Sequence, residues 1–215
     1  MAISAIVLFV IGTALTLGLR TLVQWRRTQD TGHRHEPAPR FSPEWWSQQL
    51  VLLTNILVAA GPVVALIGLS PIPGLDHGAL NATGVGVTVA AIAFTSVAQF
   101  NMGDSWRIGV DQGEHTPLVV GGFFRFARNP IFTGFVAVGA GLAMMVPNIV
   151  SVAGLISSIA SVQVTVRLVE EPYLMATHRE AYLRYASRVG RFVPGVGRIR
   201  HANRYATGGN VGTES

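Results

Sequence analysis

All basic charge in this 215-residue chain is arginine, and the placement of those sixteen arginines limits how the chain can fold. Five apolar stretches run from about Ala2 to Leu19, Leu50 to Leu69, Ala79 to Phe100, Ile131 to Val146 and Ile149 to Val166. Each is near the length a helix needs to cross a hydrocarbon core of about 30 Å. Counted as five crossings, they leave every arginine on one side. Arg20, Arg26, Arg27, Arg34 and Arg40 follow the first stretch, and Arg107, Arg125 and Arg128 follow the third. Arg167 and all later arginines lie at or beyond the end of the fifth, whereas the opposite loops, Ser70 to Gly78 and Pro147-Asn148, hold none. A count of four or six would split this pattern. Basic residues stay cytoplasmic. The expectation is an all-α integral membrane bundle of about five transmembrane helices in the cell membrane, N-terminus outside and C-terminus cytoplasmic.

Composition agrees and removes several chemistries. Only 13% of residues are charged and 49% are hydrophobic, against about 25% charged in a soluble domain. With no cysteine and no lysine, disulfides, thiolate metal sites and Schiff-base catalysis are excluded. The net charge of +5 does not point to nucleic acid, because the basic residues are juxtamembrane. His33 and His35 form an H-x-H pair without a third ligand at metal spacing, so no metal site is expected. His115 and His178 read as solvated side chains. Gly103, Gly109 and Gly113 lack the strand–turn–helix context of a dinucleotide fingerprint.

Local signals refine the spans. Gly86 with Ala90, and Ala137 with Gly141, have the spacing that lets helices approach closely. Trp25, Trp45, Trp46 and Trp106 flank spans, as interfacial aromatics do. Ser42-Pro43-Glu44 reads as an N-cap, a first-turn proline and a first-turn acid, predicting a short interfacial helix before the second span. Pro147-Asn148 predicts the turn between the last two spans.

The chemistry-bearing residues cluster in two polar blocks. The first runs from Leu118 through Gly121-Gly122, Phe123, Phe124, Arg125, Phe126, Arg128, Asn129, Pro130 and Phe132 to Gly134. The second begins at Glu170-Glu171 and Leu174 and continues through Tyr182, Tyr185, Val189, Arg191-Phe192 and Pro194. Roughly 35 nearly uncharged residues separate them, enough for two crossings, so a hairpin over 131–168 brings both blocks to one membrane surface. Asn129 can cap the helix that Pro130 opens. Gln163, Arg167 and Glu170/Glu171 recur at helical spacing and share a face, where Arg167 can pair with Glu171. Beyond Glu171 a continuous amphipathic helix is expected, with Leu174, Tyr182, Tyr185 and Val189 as its apolar stripe. The expected division is a three-span region over 1–101 with a cytoplasmic loop over 20–48, a cofactor-binding core over 102–194, and a mobile basic tail over 195–215.

At these two blocks the chain resembles the isoprenylcysteine carboxyl methyltransferase family, whose relatives include phospholipid methyltransferases. The resemblance spans roughly residues 102 to 194 and includes Ser105-Trp106-Arg107-Ile108-Gly109-Val110; the first two spans carry none of it. It implies a membrane methyltransferase that uses S-adenosylmethionine at the cytoplasmic surface and acts on a lipophilic acceptor, such as a prenylcysteine-like carboxylate. Asn129 stands where the family usually has histidine, Phe132 where it often has tyrosine, and His178-Arg179 where it commonly has Phe-Gly. The implied cofactor-binding set is Leu118, Gly122, Arg125, Arg128, Asn129, Pro130, Phe132, Glu170, Glu171 and Leu174. Within it, Glu170 or Glu171 can meet the cofactor ammonium. Arg128, Arg125 or helix N–H groups can meet its carboxylate, and Phe123, Phe124 or Tyr173 can line the adenine or sulfonium. Arg167, Glu170 and Arg128 are the catalytic candidates, Arg167 as the orienter of an anionic acceptor. The alternatives are an NADPH-dependent membrane reductase of the sterol type and a non-catalytic protein that binds lipid or a partner.

Overall fold

A computed structural model describes residues 1–33, 38–108 and 117–199. Every element among them is helical, apart from isolated backbone bridges at His33–Ile108 and Ala127–Gly190. Helix α1 (Ala2–Thr13) passes through a π turn (Ala14–Leu19) into α2 (Arg20–Thr28). Helices α3 (Pro43–Leu66), α4 (Gly78–Asn101), α5 (Pro130–Met145) and α6 (Ile149–Val164) follow. A second π turn (Thr165–Glu170) joins α6 to α7 (Glu171–Arg188). The continuous helices Ala2–Thr28, Pro43–Leu66, Gly78–Asn101 and Ile149–Arg188 are long and apolar enough to cross a membrane, and the apolar α5 is shorter. About five crossings therefore stand.

The ends of the bundle identify themselves by contact. Ala5 packs with Leu142, Met145 and Val146, placing the start of α1 beside the α5–α6 turn. At the same end, the Ile72 N–H donates to the Pro147 carbonyl at 2.7 Å. The opposite end gathers the α2 terminus, the start of α3, the α4–α5 connector and α7. The described arginines lie in α2, in α7, in the α4–α5 connector or in the segments that adjoin α3 and α7.

Two helix pairs pack by different means. Helices α4 and α5 meet through glycine: a side chain at Gly84 would strike the Gly141 backbone, and one at Gly134 or Gly141 would strike Thr95 or Thr88. Van der Waals packing of close backbones drives such pairs in lipid. The face used is Gly84/Thr88/Thr95; Gly86 and Ala90 point outward. Helix α3 instead shares hydroxyl pairs with α6 and the π turn after it, Thr54–Ser157 at 2.8 Å and Ser47–Thr165 at 2.7 Å. Asn148 joins them by accepting from Val150 and Ser151 N–H and donating to the Gly61 carbonyl at 2.9 Å. Large apolar side chains such as Leu52, Ile56 and Ile156 lie outside, where hydrocarbon would cover them.

Four local expectations are corrected. Ser42 does cap, accepting from Trp45 N–H at 3.1 Å, but the helix it starts runs unbroken to Leu66. The interfacial helix and the second span are one element. The first span likewise continues to Thr28 through its π turn, where Thr16 Oγ1 bonds back to the Gly12 carbonyl at 2.8 Å. Such back-bonding competes with the regular helix ladder. Asn129 does not cap α5 with its side chain. Finally, the helix after Glu171 is broken at Arg179, whose backbone lies at φ 44°, ψ −119°. That conformation favours glycine, the residue the resembled family commonly has there.

Candidate functional site

The first polar block is shaped by its glycines. Gly122 adopts φ +56°, and a side chain there would strike Asn101. The short 3₁₀ turn Gly122–Arg125 follows. Asn101 Oδ1 accepts from the Phe123 N–H at 2.9 Å, and the Phe123 ring stacks on Phe94 at 4.8 Å. Phe124 turns inward, and its carbonyl accepts the Tyr185 hydroxyl at 2.5 Å.

The next residues run beside the chain that leaves α7. Arg128 N–H donates to the Gly190 carbonyl at 2.8 Å, and Asn129 N–H to the Arg191 carbonyl at 3.0 Å. Asn129 Nδ2 adds a bond to the same Arg191 carbonyl at 3.1 Å, and Thr133 Oγ1 donates to the Phe192 carbonyl at 2.8 Å. Engagement with Arg191 is why Asn129 leaves the first turn of α5 uncapped.

At the centre lies Glu171 with two arginines. Arg128 donates to Glu171 Oε1 at 2.5 Å, while Arg191 donates from Nε at 2.9 Å and from its terminal nitrogen at 2.8 Å, one to each oxygen. Arg128 also donates to the carbonyls of Ala186 (3.0 Å), Val189 (2.7 Å) and Gly197 (3.2 Å). It thus satisfies the carboxyl end of α7 and binds the irregular chain beyond it. Arg128 and Glu171 are buried. The Glu171 carboxylate raises the Arg191 guanidinium above its ordinary value. Tyr182 and Ala186 pack beneath the cluster. Residues 195–199, the start of the expected tail, fold back onto it: Arg191 N–H reaches the Val196 carbonyl at 2.7 Å, and Ile199 N–H the Ala186 carbonyl at 3.0 Å.

The structure therefore brings Arg128, Asn129 and Glu171 into one clamp and keeps other candidates apart. The π turn separates the paired carboxylates: Glu171 is buried, while Glu170 is half-buried with no hydrogen bond or ion pair among the described residues. The Arg167–Glu171 pair does not form. Arg167 Nε donates to Gln163 Oε1 at 2.7 Å on the outer face. There Gln163, Val164, Arg167 and Leu168 line an open groove of about 450 Å³. Arg125 is exposed, its guanidinium 4.6 Å from the Phe126 ring. Leu118, Phe132 and Leu174 are half-buried, and Pro130 is buried at the start of α5. Asn101, Thr133, Gly190 and the contacts of Tyr185 were not singled out from sequence. His35, Gly109, Val110, Gly113 and His115 lie outside the described residues.

The model of the phospholipid methyltransferase family matches residues 78–181. That stretch is similar to the family over just under half of the chain. No curated protein matches the chain. The family segment covers α4, α5, α6 and most of α7, and contains Arg128, Glu170 and Glu171. It supports the expected kinship with the isoprenylcysteine and phospholipid methyltransferases. Helices α1 to α3 and Arg191 lie outside the match.

Proposed function

We propose that the chain transfers the methyl group of S-adenosylmethionine to a lipophilic acceptor drawn from the bilayer, at the cytoplasmic face. One observation carries the reading. The family-matched hairpin closes its two polar blocks on each other through Glu171 and leaves the neighbouring Glu170 carboxylate without a hydrogen-bond or ion-pair partner among the described residues.

The donor set fits the cofactor, which carries a sulfonium, an ammonium and a carboxylate. Glu170 takes the ammonium. The first turn of α5, without a side-chain cap, and the exposed Arg125 suit the carboxylate. Phe123 on the Gly122 turn, with Tyr173 on α7, gives an aromatic lining. Arg128 and Glu171 serve by holding the blocks together, since both terminal nitrogens of Arg128 and both carboxylate oxygens of Glu171 are engaged. When bound, the cofactor supplies an electrophilic methyl group. The protein supplies alignment, which can be worth about 7–11 kcal/mol. Arg167 orients the acceptor's anionic head while the apolar groove wall takes its chain. A carboxylate acceptor would leave as a methyl ester, with no proton to remove.

Calorimetric titration of the detergent-purified protein with S-adenosylhomocysteine, beside NADPH, tests the cofactor. Micromolar binding of the former alone is expected, with radiolabelled methyl from the donor entering a membrane lipid extract. Binding of NADPH alone would move the protein to the reductases.

A further inference from the structure

Arg20 lies outside the family-matched segment and both polar blocks, yet its side chain is among the most buried, with 2% of the residue exposed. It follows directly on the first π turn. Its guanidinium sits 4.7 Å from the Trp106 ring and 5.7 Å from the Phe100 ring. One terminal nitrogen donates to the Gly103 carbonyl at 2.5 Å and the other to Gln24 Oε1 at 3.0 Å. Gln24, also buried, donates to the Asp104 carbonyl at 2.9 Å. No carboxylate lies within ion-pairing distance of Arg20 among the described residues. Arg20 is held by ring faces and carbonyls, a set that a planar guanidinium serves and an ammonium does not.

The residues it grips lie on either side of Asn101. Phe100 precedes Asn101 and Gly103 follows two residues on, so Arg20 fixes both flanks. Asn101 in turn accepts from the Phe123 N–H and presses on Gly122. The same connector is pinned again by the bond from Ile108 N–H to the Gly32 carbonyl at 2.8 Å.

We propose that Arg20 is a positioning residue for the methyl-transfer site. Through Phe100 and Gly103 it sets Asn101, and through Asn101 it sets the Gly122–Phe123 turn that walls the cofactor pocket. The first helix is then part of the working enzyme and more than an anchor. This rests on the methyltransferase reading above.

The test is a double-mutant cycle on the full-length protein: Arg20→Met, Asn101→Ala and both together, read as S-adenosylhomocysteine affinity per folded molecule. Each single change should weaken affinity about tenfold, and the double should be no worse than the worse single, because both act through one turn. Arg20→Ala should recover affinity with added guanidinium chloride below denaturing concentration, whereas Arg20→Lys should stay weak. Should Arg20→Met fail to fold, Gln24→Leu loosens the same connector at Asp104 and should weaken affinity in the same direction. Wild-type affinity in the folded Arg20 variants, multiplying effects in the double, or no guanidinium response would overturn the role of Arg20 alone. Failure of the unmodified protein to bind S-adenosylhomocysteine would instead remove the methyltransferase reading beneath it.

Discussion

Two buried charge clusters occupy the arginine-rich end of this bundle, and they solve the same problem differently. Each begins immediately after a π turn: Arg20 follows Ala14–Leu19, and Glu171 follows Thr165–Glu170. Around Glu171, opposite charges meet at hydrogen-bonding distance and neutralise most of the cluster. Around Arg20, the cation is held by Trp106, Phe100 and backbone oxygen, with no carboxylate at ion-pairing distance among the described residues. The difference lies in what a deletion leaves behind. Removing the acid strands two guanidinium groups, whereas removing Arg20 strands no charge at all.

The largest expected effect follows from that asymmetry. Glu171→Gln should cost about 3–5 kcal/mol, the penalty of breaking a buried pair from one side, read by thermal unfolding in detergent. Arg20→Met should cost less, about 1–3 kcal/mol, for lost ring and carbonyl contacts. Equal losses in the two variants would erase the distinction.

Arg179→Gly sharpens the account of α7 and has a reversed sign. In a regular helix, glycine would destabilise by about 0.5–1 kcal/mol. At φ 44°, ψ −119°, it should instead stabilise by about 1 kcal/mol or more, because it relieves a non-glycine residue of that conformation. A lowered melting temperature would mean that α7 runs straight through Arg179. The smallest effect belongs to the α3–α6 seam. Thr54→Val removes the 2.8 Å bond to Ser157 and should cost about 0.6 kcal/mol, the average for such bonds inside membranes. A loss above about 2 kcal/mol would mark the hydroxyl seam as a principal source of stability.

The crossing pattern could be read from sequence because arginine placement is a global constraint with few solutions. The turn at Pro147-Asn148 and the Ser42 cap were legible because their determinants are local. The clamp was half legible. Bringing both blocks to one surface needed only the length of the hairpin. Which charge meets which did not follow, because Arg128, Glu171 and Arg191 are far apart in sequence and share no period. Arg167 looked like the nearer partner for Glu171, but the intervening π turn, which leaves no compositional mark, breaks the shared face. Arg20 was read as a flanking charge because it closes an apolar run. Its burial depends on Trp106, more than eighty residues later. The break at Arg179 was hidden for another reason: the residue there is a good helix former in a glycine conformation.

We propose that Glu170, unpaired among the described residues, receives the cofactor while Glu171 holds the fold. Calorimetric titration of Glu170→Gln with S-adenosylhomocysteine, beside the unmodified protein, tests it most directly. An unchanged melting temperature is expected, with affinity weakened about tenfold or more, the loss of one charge-assisted bond. Unchanged affinity in Glu170→Gln, with the unmodified protein binding normally, would contradict it.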